Sequence, residues 1–264
     1  MKLNGISVRP ATVLYAWLVA FSLVMAGCAT ADARDTSKFN TTELQRLVDE
    51  AHAKYKDLKD GKNADYIPIL ATIPSELFGV AIALPDGTIF TAGDVDYRFA
   101  IESTSKPFIA ALVMQQYGGP QAIVDKIGVE PTGLPFNSKL AIEILDARSV
   151  NPLVNAGAIS SVSMVKASSE DERWQMVLDN LGGFAGEHLP LLDEVYTSEY
   201  ETAWSNRGIV NNLYNYERFY SDPEEALRLY TKQCSVGVPT KDLAIMGATL
   251  ANGGVHPNTG QRTT

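Results

Sequence analysis

Apolar residues recur along this chain with two different rhythms, and each predicts a different kind of element. Leu44, Leu47, Val48, Ala51, Tyr55 and Leu58 fall at the three- and four-residue spacing of one helical face, which predicts an amphipathic helix over about 42–58. Thr42-Glu43-Leu44-Gln45 has capping-box form at its start, and Gly61 is its stop. Ala64-Asp65-Tyr66-Ile67-Pro68 reads as a loop, because Pro68 biases its neighbour away from helix; Tyr66 is a candidate core aromatic there. The runs Phe78 to Leu84 and Thr88 to Gly93 flank Pro85-Asp86-Gly87 and predict a β-hairpin. A weaker extended run covers 97–101. Helical periodicity then dominates, at about 104–117, 120–127, 139–147, 156–167, 170–181, 198–213, 222–234 and 240–252, with Asn252-Gly253-Gly254 as the last stop. The class is α+β. A two-stranded sheet is marginal by itself, so the hairpin is expected to belong to a larger antiparallel sheet, of which this chain holds only the N-terminal strands.

The first 27 residues break both rhythms. Lys2 and Arg9 are followed by an uncharged stretch from Ala11 to Gly27, short for a membrane span and suited to the apolar region of a signal peptide. Val24-Met25-Ala26-Gly27-Cys28 resembles a bacterial lipoprotein signal, with Cys28 as the lipidated residue; ordinary cleavage after Ala31 or Ala33 competes with it. A permanent N-terminal anchor helix fits this length less well, and on all three readings the chain is exported, to a periplasmic or lipid-anchored position. Residues 1–27 are then a signal peptide, 28–40 a linker and 41–264 a catalytic domain.

Composition narrows the partners. The 264 residues are 45% hydrophobic and 20% charged, the make-up of a folded globular chain. A net charge of −9 argues against a nucleic-acid partner and leaves the membrane reachable only through a lipidated Cys28. Two cysteines, Cys28 and Cys234, are too few for a disulfide framework, and His52, His188 and His256 have no metal-ligand spacing. No metal or cofactor is expected.

The candidate chemistry lies where the extended run meets the first long helix. Ser103 and Lys106 are three apart, so a helix beginning at Ser103 carries both on one face. That spacing lets a lysine amine take the proton of a serine nucleophile. Lysine is a base at neutral pH only if burial or a nearby cation lowers its pKa, and the run Pro107 to Met114 could bury it. The bland alternative is a solvated lysine beside a helix-capping serine. Elsewhere, Asn155 ahead of Ala156-Gly157 reads as a helix cap, Glu199 and Asn206 lie two turns apart on one face, and Tyr230 and Cys234 read as core.

Seven stretches in order resemble the bacterial glutaminase family, members of the serine β-lactamase and penicillin-binding superfamily. They are Gly61 to Pro68, the Ser103-x-x-Lys106 element, Glu130 to Ser138, Asn151 to Ile159, Ser198-Glu199-Tyr200-Glu201 leading to Asn206-Arg207, Tyr230 to Ser235, and Ala248 to Gly254. The resemblance implies hydrolysis of L-glutamine to L-glutamate and ammonia. Ser103 is the implied nucleophile, Lys106 the implied base, and Tyr66, Ser103, Asn155, Glu199, Asn206 and Tyr230 the implied substrate pocket, with Glu199 pairing with the α-ammonium. It also implies a homo-oligomer. Three departures stand out. Glu102 replaces the usual Gln and, if it faces the site, raises the pKa of Lys106. Asn211 to Tyr216 is polar for the family. The family's last third, with further strands, a Tyr and a second oxyanion N–H donor, is not found, and losing such a donor costs ~100–1000-fold in rate. The expectation is therefore an incomplete and poorly active form. A β-lactamase-type serine hydrolase and a catalytically dead lipoprotein stand as alternatives.

Overall fold

The computed structural model describes residue 36 and residues 38–145 and 149–263. The candidate signal peptide, Cys28 and the first part of the linker lie outside the described residues. Helix α1 (Thr41–Tyr55) begins immediately after an extended Asn40, whose side chain accepts from Glu43 N–H at 3.2 Å. The cap is thus Asn40, not Thr42, because the asparagine oxygen reaches the free amide first. Strands β1 (Gly79–Ala83) and β2 (Ile89–Gly93) form the expected antiparallel hairpin, in register Gly79 with Gly93 through Ala83 with Ile89. Helix α1 lies across it, and Val48, Leu84 and Phe90 make a small apolar cluster of their own.

Strand β3 (Arg98–Ala100) does not extend this hairpin. It pairs antiparallel with β4 (Gly237–Pro239), a strand of three residues placed between two helices. A run so short has no readable period, and the pairing spans some 139 positions, so local patterning does not reveal it. Ile101 N–H donates to Val236 O at 2.8 Å and extends the ladder to the threshold of the candidate site.

The helical body follows in sequence: α2 (Lys106–Tyr117), α3 (Gln121–Lys126), α4 (Leu140–Ile144), α5 (Asn155–Ser163), α6 (Glu170–Ala185), α7 (Asp193–Thr202), α8 (Trp204–Asn215), α9 (Pro223–Cys234) and α10 (Thr240–Ala251). Helix α2 is apolar on most of its circumference, and every residue of α5 is buried, the pattern of helices enclosed on all sides. They pack on each other and on α6 and α9, with the Phe108 and Phe184 rings 4.9 Å apart at a 57° tilt. Gly157 permits a close approach: a Cβ there would stand 1.8 Å from Asn151 O. Helix α10 covers β1 and so joins the hairpin to the body.

One expected helix, 198–213, is two. Ala203, with ψ at 33°, ends α7 and starts α8. Arg207 holds the corner by donating to Tyr200 O at 2.9 Å while its guanidinium lies over the Tyr200 and Trp204 rings. Glu199 and Asn206 therefore do not share a helical face; a bend brings them together. The polar stretch 211–216 belongs to the amphipathic α8, which buries Ile209, Val210 and Leu213.

Candidate active site

The site is built at a turn. Ala100 ends β3, and a 3-10 turn, Glu102–Ser105, leads directly into α2 at Lys106. Glu102 carries φ +51°, a left-handed conformation that a residue bearing a Cβ adopts only when its surroundings hold it. Two bonds hold it here. Ser105 Oγ donates to Glu102 O at 2.7 Å, and Gln233 Nε2 donates to Ser105 Oγ at 2.9 Å, with Ser105 and Gln233 fully buried. The result is that Ser103 faces outward while Lys106 turns in.

Lys106 is 3% exposed. Its Nζ donates to Asn155 Oδ1 at 2.7 Å and lies 5.8 Å from the Phe136 ring centre and 6.0 Å from that of Tyr230. Burial pushes the amine pKa down; Cys234, Glu102 and Glu199 push it back up by less. The expected opposition from Glu102 is real, and desolvation outweighs it. Asn155 is the first residue of α5, behind an extended Val154, and its side chain does not cap the helix. Its Oδ1 accepts from Lys106 and, at 3.2 Å, from Tyr230 OH, while its Nδ2 donates to Asn206 Oδ1 at 3.0 Å. Lys106 and Tyr230 are thus joined through the Asn155 amide oxygen.

Above this chain of bonds is a cavity of about 160 Å³ lined by Tyr66, Ser103, Asn155, Glu199, Asn206 and Tyr230, with Glu102, Phe136 and Cys234 among the other walls. It is smaller than drug-sized sites of ~300–1,000 Å³ and suits a compact polar molecule. All six residues expected in the substrate pocket meet there. Tyr66 stands 70% exposed at the mouth and is not a core aromatic. Glu199 is buried on α7, and burial followed by the Glu102 charge raises its carboxyl to about 9. Burial raises Glu102 to about 7, against the opposing charge of Lys106. Tyr230 and Cys234 are both pushed up, chiefly by burial. Ser105, Gln233 and Phe136 were not anticipated, although each falls inside or beside one of the seven stretches.

A family model described as glutaminase matches residues 61–264. The chain is 51% identical over 219 residues to a glutaminase of Colwellia psychrerythraea, covering 83% of this chain and 70% of that one. It is 52% identical to a glutaminase of Brucella canis, covering 83% and 69%.

The chain belongs to the glutaminase family.

Solved structures share the fold. One described as probable glutaminase YbaS superposes with a TM-score of 0.82 at 47% identity, covering 85% of this chain and 72% of its own. Another, described as Mglu in its tris and glutamate form, gives 0.77 at 33% identity over 83% of this chain and 49% of its own. The glutaminase fold, with helices packed on small antiparallel sheets in the β-lactamase manner, is therefore the fold of this chain. Against the relatives it matches, the chain spans about 70% of their length. The family match favours the glutaminase reading over a penicillin-binding type.

Proposed function

We propose that this protein hydrolyses the side-chain amide of L-glutamine, giving L-glutamate and ammonia, through an ester on Ser103. Ser103 Oγ attacks the amide carbon, and Lys106, as the base, takes up its proton. The carbon–nitrogen bond of the tetrahedral adduct breaks, and the nitrogen leaves as ammonia carrying that proton. Water then attacks the ester carbonyl, Ser103 regains its proton, and glutamate departs. The Ser103 backbone N–H is one donor for the oxyanion. Glu199 holds the α-ammonium, and the amides of Asn155 and Asn206 with the hydroxyls of Tyr66 and Tyr230 orient the α-carboxylate and the reacting amide.

One observation carries the reading: a lysine 3% exposed is bonded to a neutral amide oxygen at the foot of a cavity whose rim holds an outward-facing serine. Burial favours the uncharged amine that a base requires. Ammonia release from L-glutamine by the full chain, run beside L-asparagine and a chromogenic β-lactam, tests it. Release from glutamine with an intact β-lactam is the expected result; β-lactam cleavage without ammonia would transfer the chain to the other branch of the superfamily.

The same reading extends to location and assembly. Export rests on the basic start, the uncharged stretch to Gly27 and Cys28, and detergent-phase partitioning of wild type against Cys28→Ala separates a lipid anchor from ordinary cleavage. Association into a homo-oligomer is tested by sedimentation.

A further inference from the structure

Hydrolysis as written uses one carboxylate, that of Glu199, and leaves Glu102 without a task. Its carboxyl nevertheless lines the cavity. Glu102 Oε1 is buried without a hydrogen-bond partner among the described residues, and so is Glu199 Oε2, on a residue 7% exposed. One atom from each carboxyl and the Cys234 sulfur all lie within 4.8 Å of one another. Two ionised carboxylates at that separation repel, and in a low-dielectric pocket they titrate as a pair. The groups facing them are Lys106 from the first turn of α2, Tyr66 from the loop, and Tyr230 and Cys234 from α9. Lys106 already donates to Asn155, and burial raises the Tyr230 phenol and the Cys234 thiol.

We propose that Glu102 is a specificity-determining residue: its carboxyl and that of Glu199 titrate as one pair that seats the α-ammonium of the substrate, so that capture of glutamine expels a proton. The proposal rests on the glutaminase reading and deepens it. Before substrate binds, a proton held on one of the two carboxyls relieves the repulsion. An ammonium arriving between the two oxygens supplies a fixed positive charge, the carboxyl proton leaves to solvent, and the pair ends doubly ionised around the cation. A substrate with an amide and a carboxylate but no α-amino group has nothing to exchange for the proton. Selection for an α-amino acid is then built into the charge of the cavity wall. Capture strengthens as pH rises through the ionisation of the pair, whose members lie at about 7 and about 9.

The test is calorimetric binding of L-glutamine to the full chain carrying Ser103→Ala, at a pH between those two values, in buffers of different ionisation heat. Release approaching one proton per glutamine is expected, with none on binding of 4-carbamoylbutanoate, which lacks the amino group. Adding Glu102→Gln removes the like charge, so the pH of half-maximal release moves down by about one unit or more. Absence of proton release, equal release from the two ligands, or identical profiles with and without Glu102→Gln would overturn the proposal. If that double variant does not fold, Glu102→Asp in the same background takes its place: the shorter carboxyl should shift the pH of half-maximal release, and an unchanged profile overturns the proposal. Ammonia production by the chain with Ser103 intact is read separately: its absence beside normal proton release removes the hydrolysis and leaves the cation pair standing.

Discussion

The hairpin end of the molecule and the cavity end treat charge in opposite ways. On α1, Arg46 bridges Glu43 and Glu50 with all three side chains about half exposed, and the contact with the hairpin is apolar, through Val48, Leu84 and Phe90. Charge there is decoration on an amphipathic helix. Around the cavity, Lys106, Glu102 and Glu199 are drawn inside, two carboxylate oxygens have no hydrogen-bond partner among the described residues, and the backbone at Glu102 is held at φ +51°. Such an arrangement costs stability unless its groups neutralise or find a partner. What it yields is reactivity: a lysine driven toward its free-base form and carboxyls ready to meet a cation. The first region is arranged for folding and the second for chemistry, and substitutions should separate the two.

The largest effects are expected at the cavity. Ser103→Ala should abolish ammonia release while leaving glutamine binding measurable by calorimetry, and Lys106→Ala should do nearly the same; retained turnover in either variant would remove that residue from the mechanism. Asn155→Ala deletes the oxygen that joins Lys106 to Tyr230, and a fall in kcat of about 100-fold or more is expected, the scale of losing a well-placed polar group in a reaction site. Glu199→Gln should raise KM for glutamine more than it lowers kcat, since it weakens a contact made before and during reaction alike.

A smaller effect is read in stability. Glu199 is raised in the folded chain from an ordinary value of 4.5 to about 9, so folding takes up a proton. The stabilisation from its neutral form is fully present below about 4.5 and is lost as pH rises toward 9. Thermal midpoints should therefore decline with pH across that window, and Glu199→Gln, neutral throughout, should flatten the decline. The smallest effect belongs to the hairpin end: Arg46→Ala should change unfolding free energy by less than ~1 kcal/mol, as exposed pairs do. Equal sensitivity at Arg46 and at Glu199 would erase the contrast between the two regions.

Much of this was legible in the residue pattern, and the exceptions share a cause. Helix α1, the hairpin and the helical body follow the apolar periodicity closely, because each buries a face whose spacing is local. Strand β4 and the corner at Ala203 were missed, since one depends on a distant partner and the other on Arg207 closing a bend. At the site, residue types singled out Ser103, which lines the cavity, and Lys106, which is buried and bonded to the cavity-lining Asn155. The role of Asn155 did not follow from its position: it reads as a cap, and only the fold brings α5 against α2 and α9 so that its amide serves three partners. The pairing of Glu102 with Glu199 was likewise invisible, since 97 positions separate them and only the tertiary fold brings their carboxyls together.

The central claim is an ester on Ser103, and acid quenching of the full chain during turnover of L-glutamine, followed by peptide mass analysis, tests it most directly. The account predicts a glutamyl group on the peptide containing Ser103, absent from Ser103→Ala. Sustained ammonia release with a glutamyl group carried on a different residue, or undiminished release by Ser103→Ala, would contradict it.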